Sequence, residues 1–369
     1  MKKLFIIVII ISSLLTSGCF IKNKNLGEMF FPISLGIEYV DNEYKIYMQI
    51  LNTSTASVLE VEGSQNETTF IVVNSKNKNI SEAFDNLGLK SMSLVSAIKL
   101  KTIIFHKSIF EDSPLDYETI CQYFVNNPIF RTKVQTYITE TELSKFYNVK
   151  YMLSGTDIYS YLSGKNPNIL RGNTKTSYLL DSLKNYSDNK RMYYFPIINV
   201  KEGNTEEGKE DGSLKLVKNY YYNGICYTTY NDKNVECLNE EEAIGFRWYS
   251  EMMEISINIL DKDSPIGIII KKTNFKTRIK ENKFYIEVKL KTFVNINLSS
   301  LSLDEITEKI NDLVKEDIKN TLANGYNKSI DIYRLNDLAY RKHKDLKYNL
   351  ENVEIDVDAT IENTTYYKY

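Results

Sequence analysis

Alternating polarity between residues 284 and 296 is the feature that most restricts the fold. Apolar side chains recur at every second position from Phe284 onward, and Tyr285, Glu287 and Lys289 stand between them. A period of two puts the apolar set on one face of a β-strand and the polar set on the other. This segment therefore has to belong to a sheet with one buried and one wet face.

The sequence that follows predicts helices that cover the buried face. Ser302 and Glu305 form a capping box, in which the side chain of each residue accepts a hydrogen bond from the backbone N–H of the other. An apolar stripe with helical spacing continues from there, and Asn324-Gly325 supplies a left-handed stop. A second helix is predicted at about 329–342 and a last strand at 353–361, which makes this part α+β with a mainly antiparallel sheet.

The first half of the chain also predicts alternating strands and helices. Strands at Pro32–Val40 and Glu43–Leu51 flank Asp41-Asn42, a pair that tolerates the positive φ of a tight hairpin turn. Alternation in the second strand predicts one buried side. Further strands are predicted at 70–73, 97–105, 132–138 and 192–200, and helices at 80–89, 114–126, 141–147, 156–162 and 176–186. The order β-β-β-α-β-α-β indicates a sheet with helices on a face, and the whole chain is predicted to be α+β.

A charged run without apolar residues, 202–212, gives the best domain boundary. With 369 residues, of which 43% are hydrophobic, the chain can bury more than one core, so two or three domains are expected. We predict a signal peptide at 1–18, an N-terminal region at 19–200, a boundary at 201–212 and a C-terminal α+β domain at 213–369. An alternative division splits the N-terminal region into 19–140 and a small domain at 141–200.

The N-terminus has the layout of a lipoprotein secretion signal. Lys2 and Lys3 precede an almost wholly apolar run at 4–15, and Thr16-Ser17-Gly18-Cys19 places small residues before a thiol. This lipobox predicts conversion of Cys19 to an N-palmitoyl, S-diacylglycerol cysteine. Two or three acyl chains hold a protein firmly, because each buried methylene contributes about 0.8 kcal/mol.

The alternative for this segment is an uncleaved membrane anchor, since residues 4–21 carry no charge and a span needs about 20 apolar residues. Ser12, Ser13 and Gly18 interrupt the run, and the cysteine lies where a lipoprotein requires it, so lipidation is favoured. No second spanning stretch is visible. Everything after Cys19 is therefore expected outside the membrane.

The charge balance argues against a nucleic-acid partner. Lys+Arg number 46 and Asp+Glu number 48, and removal of Lys2 and Lys3 with the signal leaves a net charge of −4. Nucleic-acid binding needs a basic face that displaces counterions from phosphates. A basic cluster at Arg341, Lys342, Lys344 and Lys347 could instead lie against anionic headgroups, although a solvated face is the favoured explanation.

A search for catalytic patterns gives no candidate. There is no G-x-S-x-G, Walker A, G-x-G-x-x-G or C-x-x-C motif, and two histidines cannot make a three-histidine metal site. His106 follows an apolar strand, where backbone groups are expected to satisfy it, and His343 lies between two lysines on a solvated helix end. We therefore predict no enzyme activity, no metal and no cofactor.

Three cysteines remain after Cys19. Cys121 shares the apolar pattern of a helix and is expected to be buried. A two-residue turn at Asn231-Asp232 would place Cys226 and Cys237 opposite each other in a hairpin, which makes them a candidate disulfide in an oxidising compartment. The register of that hairpin is not fixed by the sequence, so both the bond and the reduced pair stay open.

The acidic run at Glu240, Glu241 and Glu242 has two interpretations. It could bind a cation, or it could open a helix predicted at 240–246, where acidic side chains offset the positive end of the helix dipole. The second interpretation is favoured.

Four stretches of the chain resemble the Ger(x)C, or GerAC, family of lipoproteins from spore germinant receptors. The first is the signal with Cys19, followed by Asn25-Leu26-Gly27-Glu28 and Leu35-Gly36-Ile37-Glu38, and the second is the helix from Ile80-Ser81-Glu82-Ala83-Phe84 with the apolar segment 97–105. The third is the hairpin at 224–230 followed by Leu238-Asn239-Glu240-Glu241-Glu242. The fourth is Ile330-Asp331-Ile332-Tyr333-Arg334-Leu335, similar to a family phrase Ile-Asp-Val-Phe-Gly-Leu, with the closing strand at 353–357. Two departures are Phe20-Ile21 in place of Trp-Asp after the cysteine, and Thr228 or Tyr230 where the family hairpin has phenylalanine.

The resemblance implies a function without catalysis. It implies a C subunit on the outer face of the inner, cytoplasmic-type membrane of a spore, acting with a polytopic A-type subunit and a transporter-like B-type subunit in nutrient-triggered germination. The alternatives are a substrate-binding lipoprotein of a transport system, which normally has two similar lobes, and a lipid-anchored hydrolase, whose nucleophile motif is missing here.

Overall fold

The computed structural model describes residues 29–51, 70–91, 94–111, 114–127, 129–149, 176–187, 192–208, 214–228, 235–249, 255–262 and 264–364. The strands in these ranges are β1 (Met29–Phe30), β2 (Pro32–Val40), β3 (Glu43–Leu51), β4 (Phe70–Asn77), β5 (Leu94–Val95), β6 (Thr102–His106), β7 (Gln135–Thr139), β8 (Tyr194–Gly208), β9 (Leu214–Thr228), β10 (Val235–Leu238), β11 (Ile255–Asp261), β12 (Ser264–Lys280), β13 (Lys283–Asn297) and β14 (Val353–Thr364).

The helices in the same ranges are α1 (Ile80–Ser91), α2 (Ser108–Glu111), α3 (Pro114–Asn126), α4 (Leu143–Phe146), α5 (Leu179–Ser187), α6 (Leu303–Asn327) and α7 (Leu335–Arg341). Three short 3-10 segments occur at Ala97–Lys99, Ile244–Tyr249 and Leu350–Asn352. Helices and mainly antiparallel, mixed sheets occur together, which confirms the α+β prediction.

The larger sheet has eight strands in the order β10-β9-β8-β7-β6-β2-β3-β4. Its centre is parallel, because β2 pairs with β6, β6 with β7 and β7 with β8 in parallel, while the flanking pairs are antiparallel. The β2–β3 hairpin turns at Asp41 and Asn42, both with positive φ, as the sequence predicts. β1 and β5 form a separate parallel pair.

Both faces of this sheet are buried, which corrects the prediction of one buried side. Ile46 and Met48 of β3 pack with α1 and α3 in one core, and Tyr47 between them packs with Phe146 of α4 in another. Tyr47 is 3% exposed. Because helices cover both faces, the alternation along β3 determines which of the two cores each side chain enters.

The second sheet has four strands in the order β11-β12-β13-β14. Phe284, Ile286 and Val288 of β13 are buried, as the alternation predicts, and they pack against α6. The last strand, β14, pairs with β13 in parallel because the chain crosses the sheet through α6 and α7 before it returns. The covering helix starts at the capping box of Ser302 and Glu305 that the sequence predicts.

Some predicted boundaries are wrong for identifiable reasons. The strand predicted at 97–105 begins only at Thr102, after the 3-10 turn. Helix α6 continues past Asn324-Gly325 to Asn327, and the positive φ falls on Ser329. A Cβ at Gly325 would come within 3.0 Å of the carbonyl oxygen of Ile330, so this glycine allows a close packing contact inside the helix.

The predicted helix at 156–162 lies outside the described residues. Part of the predicted boundary at 201–212 also lies outside the described residues. Its described part, through Gly208, belongs to β8 and pairs with β9. The division into domains stays a prediction.

Removal of the capping box should weaken the C-terminal core. Ser302→Ala leaves the Glu305 backbone N–H without its acceptor, and we expect the free energy of unfolding to fall by roughly 1 kcal/mol in urea denaturation. Thr307→Ala, one turn further into α6, is the matched control. It should be neutral or slightly stabilising because alanine favours helix interiors. Equal effects of the two substitutions would contradict a capping role.

Candidate functional site

Cys19, the residue predicted to carry the lipid, lies outside the described residues. The first described residue, Met29, belongs to β1, which pairs with β5 beside the start of the large sheet. Lipidation of Cys19 therefore stays a prediction. Among the described residues, none of the helices combines the length and the apolar character that a membrane span needs.

The structure joins Cys226 to Cys237 in a disulfide between β9 and β10. The two residues are direct partners in the antiparallel register, and their Cα atoms are 4.0 Å apart. Gly224 opens this part of β9 with a φ of +110°, and a Cβ there would overlap the carbonyl oxygen of Leu238. The hairpin thus depends on a glycine at one end and a covalent bond in the middle. The predicted Asn231-Asp232 turn lies outside the described residues.

The acidic run after this hairpin forms a turn, and the helix predicted at 240–246 is wrong. Glu242 and Asn239 accept hydrogen bonds from each other's backbone N–H, at 3.0 and 2.9 Å, which closes the turn before the 3-10 segment. Lys328 donates to both carboxylate oxygens of Glu242 at 2.8 Å and to the carbonyl of Cys237 at 2.9 Å. Hydrogen bonding from Lys328 lowers the pKa of Glu242. The Glu242 carboxylate therefore connects the hairpin to the end of α6 through Lys328.

A buried polar group next to this turn was missed by the sequence reasoning. The Asp317 carboxylate of α6 accepts hydrogen bonds from the indole N–H of Trp248 at 2.9 Å and from Arg247 at 2.6 Å. Gly245 lies so close to α6 that a Cβ would overlap the carbonyl oxygen of Asp317. The signal in the sequence is an aspartate inside an apolar helical stripe, but its partners are about 70 residues away.

The phrase Leu35-Gly36-Ile37-Glu38 is also structural. A Cβ at Gly36 would meet the Tyr147 ring at 2.6 Å, so β2 and the residue after α4 pack directly against each other. Glu38 is 2% exposed, forms an ion pair with Lys45 at 3.1 Å and accepts hydrogen bonds from the hydroxyl of Tyr47 and the backbone N–H of Leu143. A carboxylate taken out of water is costly unless donors of this kind replace its hydration.

The phrase that begins at Ile330 places a buried acid at the start of α7. Asp331 accepts hydrogen bonds from the backbone N–H groups of Leu335 and Asn336, so α7 starts there and not at Ser329 as predicted. Burial raises the pKa of Asp331 to about 6, with a smaller contribution from Asp337. Arg334 stands where the family phrase has glycine, and its φ of +58° is left-handed, which explains that glycine.

The remaining candidates have structural surroundings. The Nδ1 atom of His106 lies 2.8 Å from the hydroxyl of Ser108, which accepts from the backbone N–H of Tyr39, and Cys121 is buried among apolar side chains. His343 is exposed and has a φ of +53° after α7. Within the described ranges there is no group of three histidine, cysteine or acidic side chains that could hold a metal ion.

An apolar cavity of about 680 Å³, which no sequence pattern indicates, lies between α1, α3 and the sheet. Its wall includes an aromatic cluster, in which the rings of Phe84 and Tyr123 stack at 4.6 Å and Phe130 meets both edge-on. Leu89 and Ile129 line its mouth and are exposed. This cavity is a candidate surface for an apolar contact.

Comparison with known proteins assigns the class. A model described as "Spore germination protein N-terminal domain" matches residues 22–200, and one described as "Spore germination B3/ GerAC like, C-terminal" matches residues 223–365. The two matches together span most of the chain.

The chain therefore belongs to the GerAC-like family of spore germination proteins. A crystal structure described as that of the GerBC protein is similar, with 14% sequence identity, a TM-score of 0.48, and coverage of 89% of this chain and 96% of that one. A search of curated proteins finds no match.

The disulfide can be tested by counting thiols. Alkylation of the unfolded protein without reductant should leave Cys226 and Cys237 unmodified, and reductant should expose both, as read by mass spectrometry. The free energy of unfolding of the double variant Cys226→Ser, Cys237→Ser should be lower by roughly 3 kcal/mol, because the bond closes a short loop in the unfolded chain. Alkylation of both cysteines before reduction would contradict the assignment.

Asp331 predicts a specific pH dependence of stability. The folded pKa of about 6 exceeds the ordinary 3.8, so the folded state binds the proton more tightly, and this group costs stability as pH rises from about 4 to 6. Relative to wild type, Asp331→Asn should gain stability across that window and show no further change above it. The exposed control Asp312→Asn should give a flat difference in urea denaturation at each pH. A flat difference for Asp331→Asn as well would contradict the burial argument.

Proposed function

We propose that the protein is the lipid-anchored C subunit of a nutrient germinant receptor. The observation that carries this proposal is the pair of spore germination family matches, which follow each other along the chain behind a lipobox that ends at Cys19. In this proposal the folded part lies on the outer face of the inner spore membrane. It acts there with polytopic A-type and B-type subunits and without catalysis.

The structure supports action by contact. Within the described part of the chain, the residues that carry the family resemblance make packing contacts and polar contacts inside the fold. Gly36 packs against Tyr147, Glu242 forms an ion pair with Lys328, and Asp331 accepts a hydrogen bond at the start of α7. These residues serve the fold, and the surfaces that the fold presents are left to recognise partners.

The alternative of a substrate-binding lipoprotein of a transport system has less support. Such a protein normally has two similar α/β lobes, whereas the described sheets differ in strand number, order and direction. The eight-stranded sheet has a parallel centre, and the four-stranded sheet has an antiparallel start and one parallel edge. No pair of similar lobes occurs among these elements.

The proposal is tested with an anchor variant. Metabolic labelling with an alkyne-tagged fatty acid should tag the wild type and the signal-peptide control Ser13→Ala, and Cys19→Ala should stay unlabelled, because the thiol is the site of acyl attachment. Unlabelled wild-type protein would refute the anchor.

Spore germination supplies the functional measurement. In a strain that lacks other genes matching the same two families, deletion of this gene should abolish the response to one set of nutrients and leave vegetative growth unchanged. Wild type and Ser13→Ala should restore the response, and Cys19→Ala should restore it only weakly. A normal response of the deletion strain to every nutrient would refute the receptor role.

A further inference from the structure

Three of the four parallel strands at the centre of the large sheet begin at one edge of it. β2 starts at Pro32, β6 at Thr102 and β7 at Gln135, and backbone hydrogen bonds connect Lys101 to Ile33 and Gln135 to Lys101 at this end. We call this end, with the segments 97–101 and 129–134 that lead into β6 and β7, the amino edge. The carboxyl ends of α1 and α3 contribute to it through the cavity they share with Pro32 and Ile129.

The amino edge is basic. Lys99, Lys101, Arg131 and Lys133 are all exposed there. Lys99, Arg131 and Lys133 make no ion pair with any described residue, and Asp85 is the acidic side chain that lines the adjoining cavity. At the opposite edge, where β6 and β7 end, Glu111 and Glu140 form ion pairs with Lys107, and Glu142 forms one with Lys145. Charges at the opposite edge are therefore largely neutralised in ion pairs, whereas those of Lys99, Arg131 and Lys133 are not.

Apolar side chains interrupt the basic ones at the same edge. Ile98 is 45% exposed, Ile129 is 47% exposed and Leu89 is 75% exposed. Leu89 and Ile129 continue inward as the wall of the apolar cavity. Exposed aliphatic side chains beside lysine and arginine are the combination that inserts into the headgroup layer of an anionic bilayer.

The path of the chain brings this edge to the membrane. Nine residues lie between Cys19 and Met29, and each of the ten steps along an extended chain covers at most about 3.5 Å, so the fold begins within roughly 35 Å of the anchor. From there the chain enters β2 at Pro32, on the amino edge. The position of the anchor and the basic side chains thus both indicate the amino edge as the end that lies near the membrane.

We propose that the amino edge of the large sheet lies on the surface of the anionic bilayer that holds the lipid anchor, with Lys99, Lys101, Arg131 and Lys133 against the headgroups and Ile129 inserted between them. The inference rests on the proposed anchor at Cys19 and adds an orientation to it. The opposite edge, where β6 and β7 end, then faces away from the membrane.

The test uses the lipidated protein in vesicles of phosphatidylcholine and phosphatidylglycerol. Ile129→Cys provides a thiol for a bimane probe, because Cys121 is buried, Cys226 and Cys237 are joined and Cys19 is acylated in the proposal. Its emission should shift to shorter wavelength on vesicle binding and should be quenched by nitroxide-labelled lipid. The control Leu260→Cys, 68% exposed in β11, should show neither effect.

Charge variants separate the amino edge from the other basic cluster. Arg131→Glu with Lys133→Glu should abolish the shift at position 129, as should high salt or vesicles of phosphatidylcholine alone. Lys342→Glu with Lys344→Glu changes the net charge equally, after α7, and should leave the shift intact. Loss of the shift in both pairs would mean that overall charge, and not this edge, governs the contact, which would overturn the proposal.

The outcomes for the anchor and for the orientation are distinct. Wild-type protein that fails to float with vesicles would refute the anchor. Protein that floats while its position 129 probe stays in water would overturn the orientation and leave the anchor intact. A probe that becomes shielded only in spore membranes, and not in vesicles of lipid alone, would identify the edge as a protein contact and would also overturn the proposal.

Discussion

The Asp317 carboxylate is the interaction on which the connection between the two sheets depends. It lies in α6, which covers the four-stranded sheet, and its donors Trp248 and Arg247 lie on the segment that leaves the eight-stranded sheet after β10. A carboxylate taken out of water is costly unless donors replace its hydration, and loss of one partner from such a pair costs about 3–5 kcal/mol. The core around Trp248 therefore contains residues from both sheets, among them Tyr227, whose hydroxyl donates to the carbonyl of Ile332.

Much of the fold could be predicted where local signals decide it. The Asp41-Asn42 turn fixes the first hairpin, and helix α3 was predicted to the residue because its apolar spacing and its amino-terminal Pro114 agree. Predictions failed where a distant contact overrides a local preference. Gly325 indicates a helix end but instead permits contact with Ile330, and the Glu242 side chain closes a turn because Lys328 holds it.

In the candidate site, too, the features that local signals decide could be predicted and those that depend on distant contacts could not. The pairing of Cys226 with Cys237 was accessible as a candidate, since a hairpin register depends on few residues. The cavity beside Phe84 and the cations of the amino edge were not, because they come from segments that only the parallel order of β2, β6 and β7 brings together. Periodicity identifies a strand, but it does not say which strands become neighbours.

The parallel pairing of β14 with β13 sets the order in which the C-terminal core can close. β13 lies between β12 and β14, and its second neighbour is supplied by residues near the carboxyl end of the chain. During synthesis, one edge of β13 stays open until α6, α7 and Val353–Thr364 have all emerged. Among the described residues, the eight-stranded sheet contains no strand from beyond β10 and can assemble earlier. The four-stranded sheet therefore closes only when β14 pairs, and a nascent chain stalled before residue 353 would present an unpaired β-edge to any chaperone or protease it meets.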